Sequence, residues 1–533
     1  MASDPGALPP GYREIPSRLN ITSEVLDKSI EKGFGNRVAF VHDGGTTGYD
    51  ALARGVDALA RGLCAMGVER GMPVLLRLPN CPEFALSFLA LVKIGALPVL
   101  QNSLLGAAEV AYVQDHSEAK AAITLDSNAA PLRDVAGRMP LGLIIARAAD
   151  GEKRPGETRF EDLAADTDPA AFPAADTGAD EPAFLIYTSG TTGRPKGIVH
   201  AHRWVIALGD TNRYRVPPEP GDIGMATGEW SFISALGHNL LFPLRNGVTG
   251  AILEGRAHPE RVLAAIETHR VTVLYSVATV YRRILAIDGV ERRYDLTSLR
   301  GCNSTGEALA AATYEEWKRR IGCDIWEHYG ISEMQLVMGQ GPRRKVRPGS
   351  IGKPPPGTTV EVLDDDYAPV PAGDIGHLLI AADNPGFFLG YHRDADKTAE
   401  VVHDGWYHTG DLGYVDGDGF YWIAGRSDDC FKSRGIFISP VEIENALREH
   451  AAVAEACVVP RRDAEIGNRI RAVIVARDPA RAGDGLAQEI RAMLKDRIAP
   501  YKVPHIIEFT DTLPKSPVGK VLRRELTGQE ETE

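Results

Sequence analysis

The sequence predicts an α/β fold with more than one domain. At 533 residues the chain is longer than one hydrophobic core usually serves. Short apolar runs alternate with stretches of helical spacing, which is typical of helices layered on a largely parallel sheet. After Pro348 short strands are separated by Gly, Asp and Pro turns. We expect a large N-terminal domain of layered sheets and helices with a small β-barrel-like subdomain, followed by a small α+β C-terminal domain.

The N-terminal elements follow from hydrophobic periodicity. Residues 38–41 form a short apolar strand, and Asp50 is placed to cap a helix with Leu52 and Leu59 at helical intervals. The same periodicity predicts strands at 74–78, 97–100, 121–125 and 271–275, and helices at 22–32, 83–93, 107–114, 259–269 and 280–286.

The C-terminal third predicts shorter elements. We expect strands at 360–363, 376–380, 455–459 and 472–476, a helix beginning at Val441 and another at 486–497. A cluster of Gly and charged residues at 425–429 marks the predicted border, so the expected domains are 1–427 and 428–533.

Composition excludes several classes of protein. The net charge of −13 argues against a general affinity for nucleic acid or for anionic membranes. The six cysteines form no CxxC pair, and scattered thiols fit a reducing cytoplasm. The N-terminus predicts no signal peptide, and Lys93, Gly95 and Pro98 interrupt the most apolar stretch, so no membrane span is expected.

The stretch 186–197, I-Y-T-S-G-T-T-G-R-P-K-G, concentrates glycines, hydroxyls and two basic side chains after an apolar strand. Glycines let backbone N–H groups converge, and hydroxyls add donors, so the stretch suits a polyphosphate. It is not a Walker A loop, because Lys196 precedes Gly197 and is followed by no Ser or Thr. A flexible surface loop is the alternative. The order T-S-G-T-T-G-x-P-K-G resembles the phosphate loop of the adenylate-forming superfamily, which includes the acyl-CoA synthetases.

Four further stretches resemble motifs of that superfamily, in its order: S-T-G-E-A-L at 304–309, E-H-Y-G-I-S-E at 327–333, T-G-D at 409–411 with Gly425-Arg426, and P-K-S-P-V-G-K at 514–520. Each alone is an ordinary turn, cap or tail. The resemblance implies an ATP or AMP site made of Thr188, Ser189, Gly190, Thr191, Thr192, Lys196, Gly306, Glu307, Ala308, Glu327, His328, Tyr329, Gly330, Asp411 and Arg426.

The resemblance also implies a reaction in two steps. A carboxylate attacks ATP to give an acyl-adenylate and pyrophosphate, and a thiol then displaces AMP. Lys520 and Ser332 act at the α-phosphate, while Glu333 and Thr188 hold Mg²⁺, which prefers hard oxygen ligands.

In the superfamily the C-terminal domain is mobile and swings between the steps about a position that matches Asp428. The swing withdraws Lys520 and brings in Lys432, Ser433, Arg434 and Gly435 to bind coenzyme A. The chain departs from many acyl-CoA synthetases after Gly435, where an Arg contact is missing.

The acid is implied less firmly. The run D-D-x-x-K-x-x-G-I-x-x-S-P-x-E-x-E from Asp428 resembles the benzoate–CoA ligase branch. The expected substrate is therefore an aromatic carboxylate such as benzoate or a substituted benzoate. A medium-chain or alicyclic acid is an alternative, because Ile233 and Ser234 stand where benzoate-specific relatives tend to be aromatic. The implied acyl pocket contains Phe232, Ile233, His238, Ser304, Gly330 and Met334. His238 is either a ligand to a ring substituent or a structural histidine.

The expected partners are a small carboxylic acid, ATP, Mg²⁺ and coenzyme A, in a cytoplasmic monomer or homodimer. A stand-alone adenylation enzyme that loads a carrier protein is a second interpretation, and a catalytically silent ligand-binding relative is a third. The H-x-H pair, His200 and His202, is a weak candidate for metal binding because no third ligand follows nearby.

Overall fold

The computed structural model describes residues 14–148, 154–165, 168, 170–189, 195–434, 436–463, 466–515 and 521–527. They form two compact units. The first comprises Met1–Thr359 and Ala381–Tyr407, and the second comprises Val360–Ile380 and His408–Glu533.

The strands are β1 (Val38–His42), β2 (Gly45–Gly48), β3 (Pro73–Arg77), β4 (Leu97–Leu100), β5 (Ala121–Leu125), β6 (Leu143–Ala146), β7 (Glu157–Arg159), β8 (Pro182–Ser189), β9 (Pro195–Ala201), β10 (Ile223–Ala226), β11 (Thr249–Ala251), β12 (Val273–Ser276), β13 (Gly301–Ser304), β14 (Ile325–Ile331), β15 (Met334–Gly339), β16 (Val360–Leu363), β17 (Gly376–Ala381), β18 (Gly390–Tyr391), β19 (Val402–His403), β20 (Trp406–Val415), β21 (Tyr421–Arg426), β22 (Phe431–Ser433), β23 (Ile436–Ile438), β24 (Val453–Asp463), β25 (Gly467–Ala476) and β26 (Ile506–Phe509).

The α-helices are α1 (Tyr49–Met66), α2 (Pro82–Ile94), α3 (Ala107–Ser117), α4 (Ala130–Arg133), α5 (Phe160–Leu163), α6 (Trp204–Arg215), α7 (Ile233–Ala235), α8 (Phe242–Asn246), α9 (Pro259–His269), α10 (Ala278–Leu285), α11 (Val290–Arg293), α12 (Ala311–Ile321), α13 (Ala395–Val401), α14 (Pro440–Arg448), α15 (Asp484–Lys495) and α16 (Arg523–Thr527). Turns of π-helix cover Ser23–Asp27, Ile30–Phe34 and Leu236–Leu241, and 3₁₀ turns cover Asp126–Asn128, Ala136–Arg138, Pro479–Arg481 and Pro500–Lys502.

Two eight-stranded sheets organise the first unit. Their strand orders are β15-β14-β13-β12-β10-β11-β1-β2 and β18-β9-β8-β4-β3-β5-β6-β7. Pairing is parallel except at the β1–β2, β14–β15, β8–β9 and β9–β18 contacts. Buried parallel strands with helices between them explain the continuous apolar runs in the sequence.

The two faces of the first sheet differ in chemistry. Met225, Leu274, Cys302 and Ile325 are neighbours in register, and they pack with α9, α10 and α12 in an apolar core. One residue further along, Ala226, Tyr275, Asn303 and Trp326 are register neighbours on the opposite face. Successive side chains of a strand point to opposite faces, so this second face carries polar groups that the core face lacks.

The helix ends follow from local sequence. Pro82 begins α2, where its missing N–H costs nothing, and Gly95 ends the helix with a φ of 82° that favours glycine. The predicted capping role of Asp50 is wrong. Helix α1 begins one residue earlier, Gly48 is its cap, and Asp50 lies inside the first turn, where its charge still suits the helix dipole.

The second unit combines an antiparallel sheet with an α+β lobe. Strands β16 and β17 pair antiparallel, and β21 pairs antiparallel with β20. In the lobe, β24-β25-β26 form a sheet on which α14 and α15 pack through residues such as Ile443, Leu447 and Ile490.

The predicted fold class is confirmed: a mixed α/β chain with layered sheets, a small antiparallel sheet and a C-terminal α+β lobe. The limits 1–427 and 428–533 stay a prediction. Among the described residues, no helix combines the length and the apolar character that a membrane crossing needs.

Candidate functional site

The β8–β9 hairpin carries the glycine-rich stretch. Thr188 pairs with Lys196, and Ser189 pairs with Pro195, on the last described rungs of the hairpin. The predicted phosphate-binding residues Gly190, Thr191 and Thr192 lie outside the described residues. The structure therefore fixes the two ends of the stretch and brings Thr188 beside Lys196.

Lys196, Glu333 and Tyr391 form one hydrogen-bonded cluster, the ammonium cluster. Nζ of Lys196 donates to Oε1 of Glu333 over 2.7 Å and to Oη of Tyr391 over 2.8 Å. Oη of Tyr391 donates to the same Oε1 over 2.6 Å. The Glu333 side chain is 4% exposed and that of Lys196 is 25% exposed. A buried carboxylate is thus held by an ammonium that still reaches solvent.

The ammonium cluster keeps its carboxylate charged. Burial by itself raises the pKa of Glu333, but the charge and hydrogen bonds of Lys196 and Tyr391 outweigh burial and hold this pKa below its ordinary value. Burial, reinforced by the charge of Glu333, raises the pKa of Tyr391. At neutral pH the phenol is therefore neutral and the carboxylate ionised, which is the state that Mg²⁺ requires of a ligand.

The turn of the β14–β15 hairpin presents Ser332 and Glu333. The carbonyl of Ser332 accepts a hydrogen bond from Nε2 of His200 over 3.0 Å, and burial lowers the pKa of His200 to about 3, so this ring is neutral. A Cβ at Gly330 would lie 1.8 Å from the carbonyl oxygen of Gln335. Strands β14 and β15 therefore approach each other too closely at Gly330 for any residue except glycine.

The segment after β13 contacts β14 through Glu327. Ser304 and Glu327 are register partners, and Oε1 of Glu327 accepts from the amide of Leu309 over 3.1 Å. Burial raises the pKa of Glu327 to about 8, so the carboxyl is mostly protonated at neutral pH. Oε2 of Glu327 and Oγ of Ser304 are buried and have no hydrogen-bond partner among the described residues. Two polar atoms are thus available side by side for a ligand.

The side chain of Glu307 is hydrogen-bonded to Thr279. Its carboxylate accepts from the amide of Thr279 over 3.0 Å and from the Thr279 hydroxyl over 2.6 Å. Gly306 and Ala308 flank it in the turn before α12. The predicted contact of this turn with the nucleotide stays a prediction.

The predicted acyl-pocket residues belong to three elements. Phe232 precedes α7, Ile233 begins that helix, and Met334 begins β15. Ile233 and Met334 are buried. His238 is 1% exposed, and its Nδ1 lies 2.8 Å from the carbonyl of Ser234 and 2.9 Å from Nε2 of Gln335. The structure thus brings His238 against the hairpin that carries Gly330.

His238 belongs to a group of five polar residues that are each 7% exposed or less. We call this group the buried polar cluster: Arg215, His238, Asn303, His328 and Gln335. The ring of His238 lies 5.2 Å from that of His328 and stacks on Tyr275 at 4.4 Å. Sequence reasoning missed Arg215 and Tyr275, which lie far from any motif. Tyr391 was missed for the same reason.

A small open cleft, with a volume of about 40 Å³, approaches the buried polar cluster from the end of α6. His238 and Tyr275 line it together with Asn212, Asp222 and Arg300. Arg300 is paired with Asp222 by two hydrogen bonds of 2.8 Å and 2.6 Å, so its charge is already compensated.

Asp411 and Arg426 pair within the second unit. They are register partners on β20 and β21, and Nη1 of Arg426 lies 2.6 Å from the carbonyl of Thr409 and 3.4 Å from Oδ1 of Asp411. Asp428 follows, with Oδ1 3.4 Å from Nε of Arg426. The predicted ribose and hinge roles stay predictions.

The predicted coenzyme A segment is a short hairpin of β22 and β23. Oγ of Ser433 donates to the carbonyl of Asn468 over 2.6 Å, and the carbonyl of Lys432 accepts from the Asn468 side chain over 2.9 Å. The amide of Arg434 donates to the carbonyl of Ile466 over 3.0 Å. Gly435 and Lys520 lie outside the described residues.

The H-x-H pair has separate structural contacts. His200 donates to Ser332 as described, while Nδ1 of His202 accepts from the amide of Ile21 over 3.2 Å, and burial lowers the pKa of His202 to about 4. Within the described ranges, no group of three or more His, Cys, Asp or Glu side chains is placed to hold a metal ion on its own.

The chain is similar to known proteins over most of its length. The model of the AMP-binding enzyme family matches residues 27–392, and that of the AMP-binding enzyme C-terminal domain matches residues 442–520. The benzoate–CoA ligase of Thauera aromatica is 33% identical, with 98% of each chain covered. The 3-hydroxybenzoate–CoA ligase of Aromatoleum sp. (strain CIB) is 31% identical, with 94% of this chain and 95% of the relative covered.

A solved structure resembles the whole chain. The anthranilate CoA ligase AuaEII in complex with anthranoyl-AMP superposes with a TM-score of 0.89 at 30% identity, covering 97% of this chain and 98% of that one.

Proposed function

Because the chain belongs to the AMP-binding enzyme family, we propose that it is an AMP-forming acid–CoA ligase for an aromatic carboxylic acid. The resemblance to ligases of benzoate, 3-hydroxybenzoate and anthranilate supports the aromatic substrate. We place the reaction in the cytoplasm, where ATP and coenzyme A are available and which the scattered cysteines suit.

The observation that carries the proposal is the ammonium cluster. Lys196 lies in the glycine-rich stretch, one residue before its end, and Glu333 is in the turn that presents Ser332. A cation and an ionised carboxylate are therefore held together beside the hydroxyl expected at the α-phosphate. Charge that is fixed in place before the reaction is the largest contribution that most active sites make to rate.

The residues fit ATP with Mg²⁺. The buried atoms of Ser304 and Glu327 that lack partners among the described residues suit a base or ribose edge, and the ionised Glu333, with Thr188, would hold the metal. When bound, Mg²⁺ neutralises charge on the phosphates. Lys196 steadies the departing pyrophosphate, and Lys520 positions the attacking carboxylate at the α-phosphate.

The second step needs a different set of residues. Rotation about Asp428 withdraws Lys520 and brings Lys432 and Arg434 to coenzyme A. Asp411 binds the ribose of the adenine nucleotide, and Arg426 binds its ribose or phosphate. The thiol then attacks the acyl carbon and AMP leaves. No protein nucleophile takes part in either step.

The test is release of AMP with a panel of aromatic and aliphatic acids, each assayed with and without coenzyme A. We expect AMP release that requires both an aromatic acid and coenzyme A. Absence of ATP–pyrophosphate exchange with every acid would refute the ligase. Exchange without thioester formation, together with acylation of a carrier protein, would identify a stand-alone adenylation enzyme instead.

A further inference from the structure

The buried polar cluster contains more unsatisfied hydrogen-bonding groups than a folded core normally tolerates. Among the described residues, no partner contacts Nε or Nη2 of Arg215, Nε2 of His238 or either ring nitrogen of His328. Both side-chain polar atoms of Asn303 and Oε1 of Gln335 are also without such partners. Nearly all buried polar groups in native proteins are hydrogen-bonded, so these groups require partners that the described part of the chain does not supply.

Arg215 is the strongest of these observations. Its guanidinium donates to the carbonyl of Gln340 over 3.3 Å, and the groups that shift its pKa include no carboxylate among the described residues. Burial lowers the pKa of Arg215 to about 10, which still leaves the side chain charged at neutral pH. A buried cation without a counter-ion is costly, and a ligand that supplies the missing negative charge would compensate for it.

The two histidines add polarity without adding charge. Burial, with the nearby charge of Arg215, lowers the pKa of His238 to about 3 and shifts that of His328 well below its ordinary value. The neutral ring of His328 therefore offers one N–H donor and one acceptor nitrogen, whereas His238, whose Nδ1 already contacts Ser234 and Gln335, offers only Nε2. When Arg215 and the Asn303 amide are included, the groups without partners among the described residues contain more hydrogen-bond donors than acceptors. This excess favours a ligand group with several acceptor oxygens.

The position of the cluster relates it to the acid. His328 is four residues before Ser332 on the same hairpin, about 13 Å at a strand rise of about 3.3 Å per residue. A Cβ at Gly339 would lie 2.7 Å from Cβ of His328 and 2.9 Å from Cδ of Arg215, so the Arg215 stem runs alongside His328. The cluster is thus separated from the expected position of the reacting carboxyl by about the length of an aromatic ring and its substituent.

We propose that the acid carries a second carboxylate, remote from the one that reacts, and that Arg215, His328 and Asn303 bind it. The inference rests on the proposed function, because it concerns the acid of the same site. It argues against a medium-chain alkyl acid, which would leave all these polar groups buried and unpaired.

The test compares acids that differ only in the remote group. Benzoates substituted at the meta or para position with carboxyl, hydroxyl, isopropyl or methyl are assayed by ATP–pyrophosphate exchange. We expect kcat/KM for one carboxyl isomer to exceed that of its isopropyl partner at least about a hundredfold, since sites with buried polar groups strongly reject analogues that leave them unpaired.

Variants then identify the residues responsible. Arg215→Met should reduce this preference to near unity or reverse it, and Asn303→Leu should reduce it independently if the first variant folds poorly. Arg300→Met is the matched control, because Arg300 is also partly buried but is already paired with Asp222. It should lower the melting temperature and leave the preference unchanged.

Three results would overturn the inference: a preference for the unsubstituted or alkyl acid, a preference for hydroxyl over carboxyl, or an unchanged preference in both Arg215→Met and Asn303→Leu. The last result would indicate that water from the neighbouring cleft satisfies the cluster. Each of these requires measurable exchange, whereas failure of the proposed function would appear as no exchange with any acid.

Discussion

Nζ of Lys196 and Oε1 of Glu333 lie 2.7 Å apart although 137 residues separate them in the chain. Lys196 is the last residue but one of the glycine-rich stretch, and Glu333 is in the turn of a hairpin on a different sheet. Their contact joins two motifs that are each unremarkable alone, and it gives the site a charged pair whose removal is easy to measure.

Glu333→Gln should strongly impair the first half-reaction. The substitution keeps the shape of the side chain and removes its charge, so we expect ATP–pyrophosphate exchange to fall about 10²- to 10³-fold, the scale for loss of one electrostatic contact. Asp57→Asn is the control, since it breaks another buried pair, with Lys93, whose atoms lie 2.6 Å apart. It should reduce stability without changing exchange per folded molecule. An equal loss in both variants would contradict the role of Glu333.

The contribution of Glu333 to stability should depend on pH. Because its pKa in the folded chain lies below the ordinary value of 4.5, the ionised pair stabilises the fold fully above that value. The stabilisation is lost as the pH falls through the lower folded pKa. Urea unfolding of the wild type and Glu333→Gln between about pH 7 and pH 3 should therefore show a difference that shrinks on the acid side. A difference that grows there would contradict this assignment.

Gly330→Ala should disrupt the hairpin beside the acid. The added Cβ would lie 1.8 Å from a backbone oxygen, and a backbone atom cannot move aside as a flexible side chain can. We expect a lower melting temperature and loss of exchange with every acid. Gly137→Ala is the matched control, because a Cβ there would meet nothing within 4 Å. Normal activity in Gly330→Ala would show that the hairpin relaxes more than expected.

Lys520→Ala should separate the two half-reactions. If Lys520 orients the carboxylate at the α-phosphate, its loss abolishes adenylate formation and largely spares thioester formation from a supplied acyl-adenylate. Lys515→Ala is the control within the same motif, since Nζ of Lys515 is paired with Glu455 at 2.7 Å. It should leave both half-reactions intact. Equal loss of both in Lys520→Ala would refute the proposed role.

Asp428→Pro should have the opposite effect. Proline fixes φ and would prevent rotation at the proposed hinge, so adenylation should survive while thioester formation falls. Asp428→Ala removes the same carboxylate, which lies 3.4 Å from Arg426, and leaves the backbone free. Both half-reactions should survive in this variant. Normal overall turnover in Asp428→Pro would rule out a swing about this residue.

Local signals in the sequence predicted most elements of the fold. The strands at residues 74–78 and 121–125 and the helix at 83–93 are recovered within about a residue or two, because each is bounded by turn residues and carries a clear period. Asp50 failed as a cap because extended β2 runs directly into α1 at Gly48, and a glycine leaves no side-chain signal.

The site was less predictable because its contacts are between distant segments. Lys196 and Glu333 were found from motifs, but nothing near Tyr391 or Arg215 indicates what they contact. Both are placed by sheet pairing: β18 brings Tyr391 beside β9, and the end of α6 brings Arg215 along β14 and β15. Such pairings depend on the whole chain, which a local pattern does not encode.

The ammonium cluster and the buried polar cluster have no side chain in common, although Gln335 follows Glu333 by only two residues. Substitutions confined to the side chains of one cluster therefore leave the side-chain contacts of the other in place. After gene duplication, a few substitutions around Arg215 and His238 could change the acid that one copy accepts. That copy would still form the acyl-adenylate. For the same reason, a library confined to the buried polar cluster is the economical starting point for a redesigned ligase.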